Sequence, residues 1–193
     1  MSATETHNDW MYGRMRVRVV VGEVVDQPVE ALVNVANTRG LMPAGSPSAI
    51  RVHGGAEVER YCMALAPHRI SSVFASPSGR LAERGVQRII HLVVSNSLGE
   101  TPREWLISDV VRNGLDFADR EGWRSLAIPV VGMTSDVPDG RRLAVIQATV
   151  EPVLQFARRR TFHLVDIVVV TRYESDAVAI GDLLEAARRR SLT

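Results

Sequence analysis

Short apolar runs rich in β-branched residues alternate with longer amphipathic stretches along this chain of 193 residues. Runs such as MRVRVVV (15–21) and LVDIVVVT (164–171) suit strands whose faces are covered, and the stretches between the runs carry apolar residues at helical spacing. Strands separated by helices of this length predict a three-layer α/β/α sandwich around a mixed, mostly parallel sheet.

The predicted elements cover most of the chain. Strands are predicted at residues 15–21, 31–36, 73–76, 87–94, 125–131 and 164–171. Helices are predicted at residues 47–66, 102–121, 141–160 and 175–190, with Ser46 or Ser48 as the cap of the first and Gly54-Gly55 as a break within it. Residues 1–13 are predicted to form a flexible leader from which residues 10–12 fold back, and residues 14–190 a single domain.

The composition excludes several classes of function. All 23 basic residues are arginine, whereas Schiff-base enzymes, Walker-type phosphate loops and protein kinases each need a lysine. A net charge of +1 argues against a nucleic-acid partner. The single cysteine, Cys62, and the lack of a zinc-binding pattern favour a cytoplasmic protein without a metal or other cofactor. No apolar run reaches the length of a membrane span, about 18 residues.

Polar residues that directly follow apolar runs indicate where a ligand would bind. In open α/β sheets, ligands lie outside the carboxyl ends of the strands. The first run ends at Glu23, the second at Asn37 with the loop 41–47 after it, a later one at residues 129–136, and the last at residues 171–173. The sequence therefore predicts a crevice built from these four segments.

The segments carry a family resemblance. In chain order they read VVVGEVV, VEALVNVAN, MPAGSPSAIRVHGG, RIIHLVV and SLAIPVVGMTSD. In this order and spacing they resemble the macro domain family over most of the chain, and VEALVNVAN and SLAIP are the more specific of the matches. Members of that family bind ADP-ribose and related nucleotides, and some hydrolyse ADP-ribosyl linkages. The resemblance implies a bacterial-type macro-like domain, with an ADP-ribosylated protein as a further partner.

The resemblance also implies roles for individual residues. Glu23 stands where the family usually has an aspartate that accepts a hydrogen bond from the adenine amino group. Asn37 corresponds to the asparagine at the distal ribose, where an amide both donates to and accepts from hydroxyl groups. Two structural alternatives stay open: Glu23 as an exposed strand-end glutamate, and Asn37 as a residue that stabilises its own turn.

Both phosphate-binding loops differ from the usual family pattern. The first reads Pro-Ala-Gly-Ser at residues 43–46, where relatives have Gly-Gly-Gly-Val, and Pro47 occupies the position of an aspartate thought to activate water. Proline cannot act as a base, and it lacks the N–H group that a phosphate would use. In the second loop, Asp136 brings a negative charge near the expected diphosphate.

The sequence thus predicts binding of ADP-ribose or a related adenine nucleotide without efficient catalysis. The predicted ligand-binding residues are Glu23, Val24, Asn37, Gly45, Ser46, Pro47, Val131, Gly132, Met133, Thr134, Ser135 and Tyr173. One alternative is an ADP-ribosyl hydrolase that uses Asn37 and Asp136. The other is a macro fold with a decayed pocket that acts as an interaction module, which exposed apolar surface around Met42, Met133 and Val137 would favour.

Overall fold

A computed structural model describes residues 8–96, 101–159 and 163–190. Its strands are β1 Asn8–Tyr12, β2 Met15–Val21, β3 Ala31–Asn37, β4 Val73–Pro77, β5 Arg88–Ser95, β6 Ser125–Pro129 and β7 Asp166–Thr171. The seven form one sheet in the order β1-β2-β7-β6-β3-β5-β4. β2, β7, β6, β3 and β5 run parallel, whereas the edge strands β1 and β4 are antiparallel to their neighbours.

Helices cover both faces of this sheet. They are α1 Gly45–Gly54, α2 Ala56–Ala64, α3 Glu104–Arg120, α4 Asp139–Ala157 and α5 Glu174–Arg190, with short 3₁₀ helices at Val24–Asp26 and Gly79–Arg84. α3, α4 and α5 pack on one face, and α1 and α2 pack on the other. The predicted three-layer sandwich is confirmed. Within the described residues, none of these helices has the length and apolar character needed to cross a bilayer.

The central strands are almost continuously apolar because both of their faces are covered. In the pairing of β3 with β5, Leu32 lies beside Ile89 and Val33 beside Ile90. The first pair packs toward α1 and α2, and the second packs toward α3 and α4. Such strands lack the apolar–polar alternation of half-exposed sheets, which is why runs like RIIHLVV identify them in the sequence.

At the amino-terminal edge, the structure corrects the prediction of a flexible leader for residues 8–13. Residues 8–12 form β1, in which Trp10 and Tyr12 are buried and the Tyr12 hydroxyl donates to the Leu184 carbonyl at 2.5 Å. A two-residue loop joins β1 to β2, and Gly13 has the positive φ, +60°, that a type II′ turn requires at this position. Residues 1–7 lie outside the described part of the chain.

The predicted helix over residues 47–66 is two helices, α1 and α2. They separate at the predicted glycine pair, where Gly55 has a φ of +105°. α1 begins two residues earlier than predicted, at Gly45. Its N-cap is Ala44, whose methyl side chain cannot accept a hydrogen bond from the helix. The prediction that Ser46 or Ser48 caps the helix is therefore wrong, because both serines lie within α1 itself.

His91 is a neutral imidazole in the middle of β5. Its Nδ1 accepts from Asn34 Nδ2 at 3.0 Å, so its proton lies on Nε2, which donates to Ser76 Oγ at 2.8 Å. The ring stacks on Phe74 with a centroid distance of 4.6 Å. Burial, assisted by the charge of His68, lowers the pKa of His91 to about 3. His91 is therefore a core residue, held in place by hydrogen bonds to the side chains of Asn34 and Ser76.

The lowered pKa of His91 predicts that acid destabilises the fold. An unfolded histidine binds a proton below pH of about 6.5 whereas folded His91 does not, so its contribution is complete above that pH and is lost as the pH falls. Between pH 6.5 and 5.0 this histidine should lower the free energy of unfolding by about 1.5 kcal/mol. Urea denaturation of the wild type and of His91→Gln at both pH values measures this. If the free energy of unfolding falls equally in the two proteins between these pH values, His91 is not the group responsible.

Candidate functional site

A cleft of about 440 Å³ opens at the carboxyl ends of the parallel strands. Its floor includes residues at or just beyond the ends of five strands, namely Gly22, Asn37, Ser95, Pro129 and Thr171. The volume lies within the range of small-molecule sites, roughly 300 to 1,000 Å³. The cleft therefore occupies the edge of the sheet where the sequence predicted a ligand.

The first wall of the cleft is the loop before α1 together with the amino terminus of that helix. Gly45 has a φ of +64°, which turns the chain from the extended Ala44 into the helix. The first hydrogen bond of α1 runs from Ser48 N to the Ala44 carbonyl at 3.3 Å. The N–H groups of Gly45 and Ser46 come before it, so they are not used in the hydrogen bonds of the helix. Such groups, together with the helix dipole, attract anions.

The opposite wall is the loop that follows β6. Val131 N donates to Thr149 Oγ1 at 3.1 Å and Met133 N donates to the Val130 carbonyl at 3.2 Å, and these bonds fix the turn. Gly132 has a φ of +82° at its centre. Thr134 Oγ1 is one of the buried side-chain atoms in the described residues without a hydrogen-bond partner. Although Pro47 and Met133 stand in facing walls, neither closes the cleft.

Asn37 lines the cleft, and its amide shapes the first wall. Its Nδ2 donates to the Leu41 carbonyl at 2.7 Å, and its Oδ1 accepts from Arg39 N at 3.0 Å and Leu41 N at 3.3 Å. These bonds are the turn-stabilising alternative foreseen for this residue. They use one of the two N–H groups of the amide.

Ion pairs hold the end of the cleft at β7. Arg172 Nε lies 2.8 Å from Glu23 Oε1, and its Nη2 donates to Glu23 Oε2 at 2.9 Å. Buried Asp176 accepts from Arg142 Nη2 at 2.7 Å and from the Thr171 hydroxyl at 3.3 Å. The Arg142 guanidinium in turn covers a face of the Tyr173 ring, 4.8 Å from its centroid.

Comparison with known proteins identifies the family. The macro domain profile matches residues 33–135, more than half of the chain, from within β3 to the loop after β6. A macro domain-containing protein of Streptomyces griseus is 34% identical over 151 residues, covering 71% of this chain and 82% of that protein. The chain belongs to the macro domain family.

Two further relatives of this macro domain have names that state an activity or a bound ligand. An O-acetyl-ADP-ribose deacetylase of Citrobacter rodentium is 26% identical over 149 residues, covering 75% of this chain and 82% of that enzyme. The Oceanobacillus iheyensis macrodomain solved with ADP is 19% identical and matches with a TM-score of 0.82, over 97% of this chain and 100% of that one. At that identity the structural match shows the shared fold.

Most of the predicted site residues of the macro domain line the cleft. These are Asn37, Gly45, Ser46, Pro47, Gly132, Met133, Thr134, Ser135 and Tyr173, joined by the candidate base Asp136. Glu23, Val24 and Val131 do not line it. Glu23 is paired with Arg172, and the two valines are buried in the core on opposite sides of the sheet.

Sequence reasoning missed other residues of the cleft wall, including Ser95 and Pro102. Ser95 ends β5 directly after its apolar run, so the rule that located Asn37 would also have found it. Pro102 has no such signal, because it follows no apolar run; it precedes α3 and lies beside Gly132 in the folded chain.

Gly132 is predicted to be essential to the second wall. A β-carbon at this position would lie 2.9 Å from Pro102 Cγ and 3.0 Å from Ile107 Cδ1, in a backbone conformation that already disfavours other residues. Gly132→Ala should therefore lower the free energy of unfolding by about 2 to 5 kcal/mol, combining backbone strain with overpacking. Urea denaturation measures the change.

Gly122→Ala is the matched control for this prediction. Gly122 has a φ of +81°, and nothing lies within 4 Å of the position of its β-carbon. The Gly122→Ala variant should lose only the free energy of the backbone strain, about 1 to 2 kcal/mol. Equal destabilisation by the two substitutions would mean that Pro102 and Ile107 do not restrict the loop.

Proposed function

We propose that this macro domain binds ADP-ribose or a related adenine nucleotide in the cleft. The observation that carries the proposal is the open space between two facing walls, the amino terminus of α1 on one side and the Gly132 loop on the other. Named relatives support it, since one was solved with ADP and another is an O-acetyl-ADP-ribose deacetylase. We extend the proposal to ADP-ribosylated proteins as partners and to a cytoplasmic location.

The diphosphate is expected to lie between the two walls. The N–H groups of Gly45 and Ser46 stand at a helix amino terminus, which favours negative charge. Asp136 is the one carboxylate among the described residues that line the cleft, and it is exposed. Water therefore screens its repulsion of a phosphate to about 1 kcal/mol at 4 Å, which the helix terminus can offset.

Calorimetric titration tests the proposal directly. ADP-ribose should saturate the protein and bind more tightly than AMP, because its diphosphate reaches both walls and its distal ribose reaches Asn37. Ribose 5-phosphate, which lacks the base and the second phosphate, is the control and should bind weakest. A flat trace with ADP-ribose at millimolar concentration would favour the decayed-pocket alternative. Of the three residues whose exposed apolar surface would support that alternative, Met42 and Val137 are buried and Met133 is partly buried.

Ser46→Asp should separate ligand binding from stability. A carboxylate in the first turn of α1 interacts favourably with the helix dipole, so the free energy of unfolding should stay equal or rise by up to about 1 kcal/mol. The same charge should repel the diphosphate and weaken ADP-ribose binding at least roughly tenfold. Calorimetry and urea denaturation measure the two effects.

Ala56→Asp is the matched control. Ala56 is the exposed first residue of α2 and lies outside the cleft wall, so the substitution adds the same charge at another helix amino terminus. ADP-ribose binding should not change in this variant. If both variants bind ADP-ribose as the wild type does, the diphosphate does not lie at α1.

The proposal includes the absence of efficient hydrolysis. Pro47 carries no titratable group, the Asn37 amide is engaged in its turn, and exposed Asp136 accepts a hydrogen bond from Ser135 Oγ at 3.1 Å. Incubation with O-acetyl-ADP-ribose should release acetate no faster than buffer does, measured by chromatography. Release that is present in the wild type and lost in Asp136→Asn would instead support the hydrolase alternative.

A further inference from the structure

The loop before α1, residues 41–44, has one side chain in the core between two that face the cleft. Leu41 and Pro43 line the cleft, whereas Met42 between them is 1% exposed. The Met42 side chain belongs to the core cluster that also contains Val58 of α2. Its burial therefore fixes which residues of the loop face the ligand space.

Two contacts of the backbone hold this loop against α2. Met42 N donates to Oε1 of Glu59, a residue of α2, at 2.6 Å, and the Glu59 side chain is 19% exposed. A β-carbon on Gly40 would lie 2.6 Å from the carbonyl carbon of Cys62, so the chain passes directly against the backbone of this helix. Glu59 does not line the cleft. Any effect of its hydrogen bond on a ligand is therefore transmitted through the loop.

The second carboxylate oxygen of Glu59 faces α1. This oxygen, Oε2, lies 3.9 Å from Arg51 Nε, a buried atom that has no hydrogen-bond partner among the described residues. The loop and α1 are joined at Gly45, where the chain turns with a φ of +64°. Glu59 thus contacts the first wall of the cleft on both sides of this turn.

We propose that Glu59 is a positioning residue for ligand binding. By accepting from Met42 N, its carboxylate holds the loop in the shape that presents the N–H groups of Gly45 and Ser46 to the cleft. A hydrogen bond to an ionised acceptor is roughly twice as strong as one between neutral groups. Without it the loop samples other shapes, and the apparent affinity falls with the fraction of protein in the binding shape. The inference rests on the proposed function, because it needs a diphosphate at the first wall.

Calorimetric titration of two variants with ADP-ribose tests the inference. Glu59→Ala removes the acceptor, so the dissociation constant should rise about tenfold. Glu59→Gln keeps an oxygen acceptor at the same place and should bind within about threefold of the wild type. If Glu59→Ala binds as the wild type does, the inference is wrong and the proposed function stays intact. If Glu59→Gln binds as weakly as Glu59→Ala, the hydrogen bond from Met42 N is not what positions the loop.

Glu30→Ala is the matched control. Glu30 Oε2 accepts from Arg124 N at the same distance, 2.6 Å, but these two residues precede β3 and β6 at the amino ends of the strands, opposite the cleft. Loss of this bond should lower the melting temperature without changing the affinity for ADP-ribose. If Glu30→Ala weakens binding as much as Glu59→Ala does, the effect is a general loss of stability and the inference is wrong.

Hydrogen exchange measured by mass spectrometry locates the change in the protein. In Glu59→Ala, the amides of residues 40–46 should exchange faster than in the wild type, whereas those of β5 should not. Unchanged exchange in residues 40–46 would overturn the inference without any ligand present. If the wild type itself does not bind ADP-ribose, the proposed function fails and the inference fails with it. Thermal unfolding of all variants verifies that they are folded at the titration temperature.

Discussion

Parallel pairing of β2, β7, β6, β3 and β5 is the constraint on which the remaining structure depends. Parallel neighbours require crossover connections, and the helices in those connections must cover both faces of the sheet. All five strands then end at the same edge, where their last residues and the loops behind them converge. The cleft is therefore a consequence of the topology, and the loops decide what it can bind.

The loops hold their shapes with few glycines because side chains fix their turns. Positive φ occurs at Gly40 and Gly45 in the first wall and at Gly132 in the second. Asn37 ties the first wall together internally, and Glu59 accepts from Met42 N at 2.6 Å to anchor it to α2. Thr149 anchors the second wall from α4. Alanine can occupy position 44 of the first wall because the backbone there is extended, whereas Gly45 next to it supplies the positive φ.

Exclusive use of arginine gives the molecule a characteristic kind of ion pair. Planar guanidinium groups bind carboxylates in two-pronged fashion, as in Arg172 with Glu23 and Arg142 with Asp176. At the amino-terminal ends of the strands, burial favours a higher pKa for Asp166. Hydrogen bonds from Arg18 and Arg16 outweigh this effect, so the pKa of Asp166 is lowered. Because such pairs fix orientation as well as charge, they stiffen both ends of the sheet.

Local patterns in the sequence determined the strands, the helices, the layered architecture and most of the residues around the cleft. The reason is that periodicity records which faces are buried, and polar residues after apolar runs mark strand ends. β1 was missed because a five-residue edge strand shows its alternation only at Trp10 and Tyr12. Tertiary structure alone decided that Glu23 would bind Arg172, 149 residues away. Their strands, β2 and β7, become neighbours only through the order of the sheet, and no local pattern encodes that pairing.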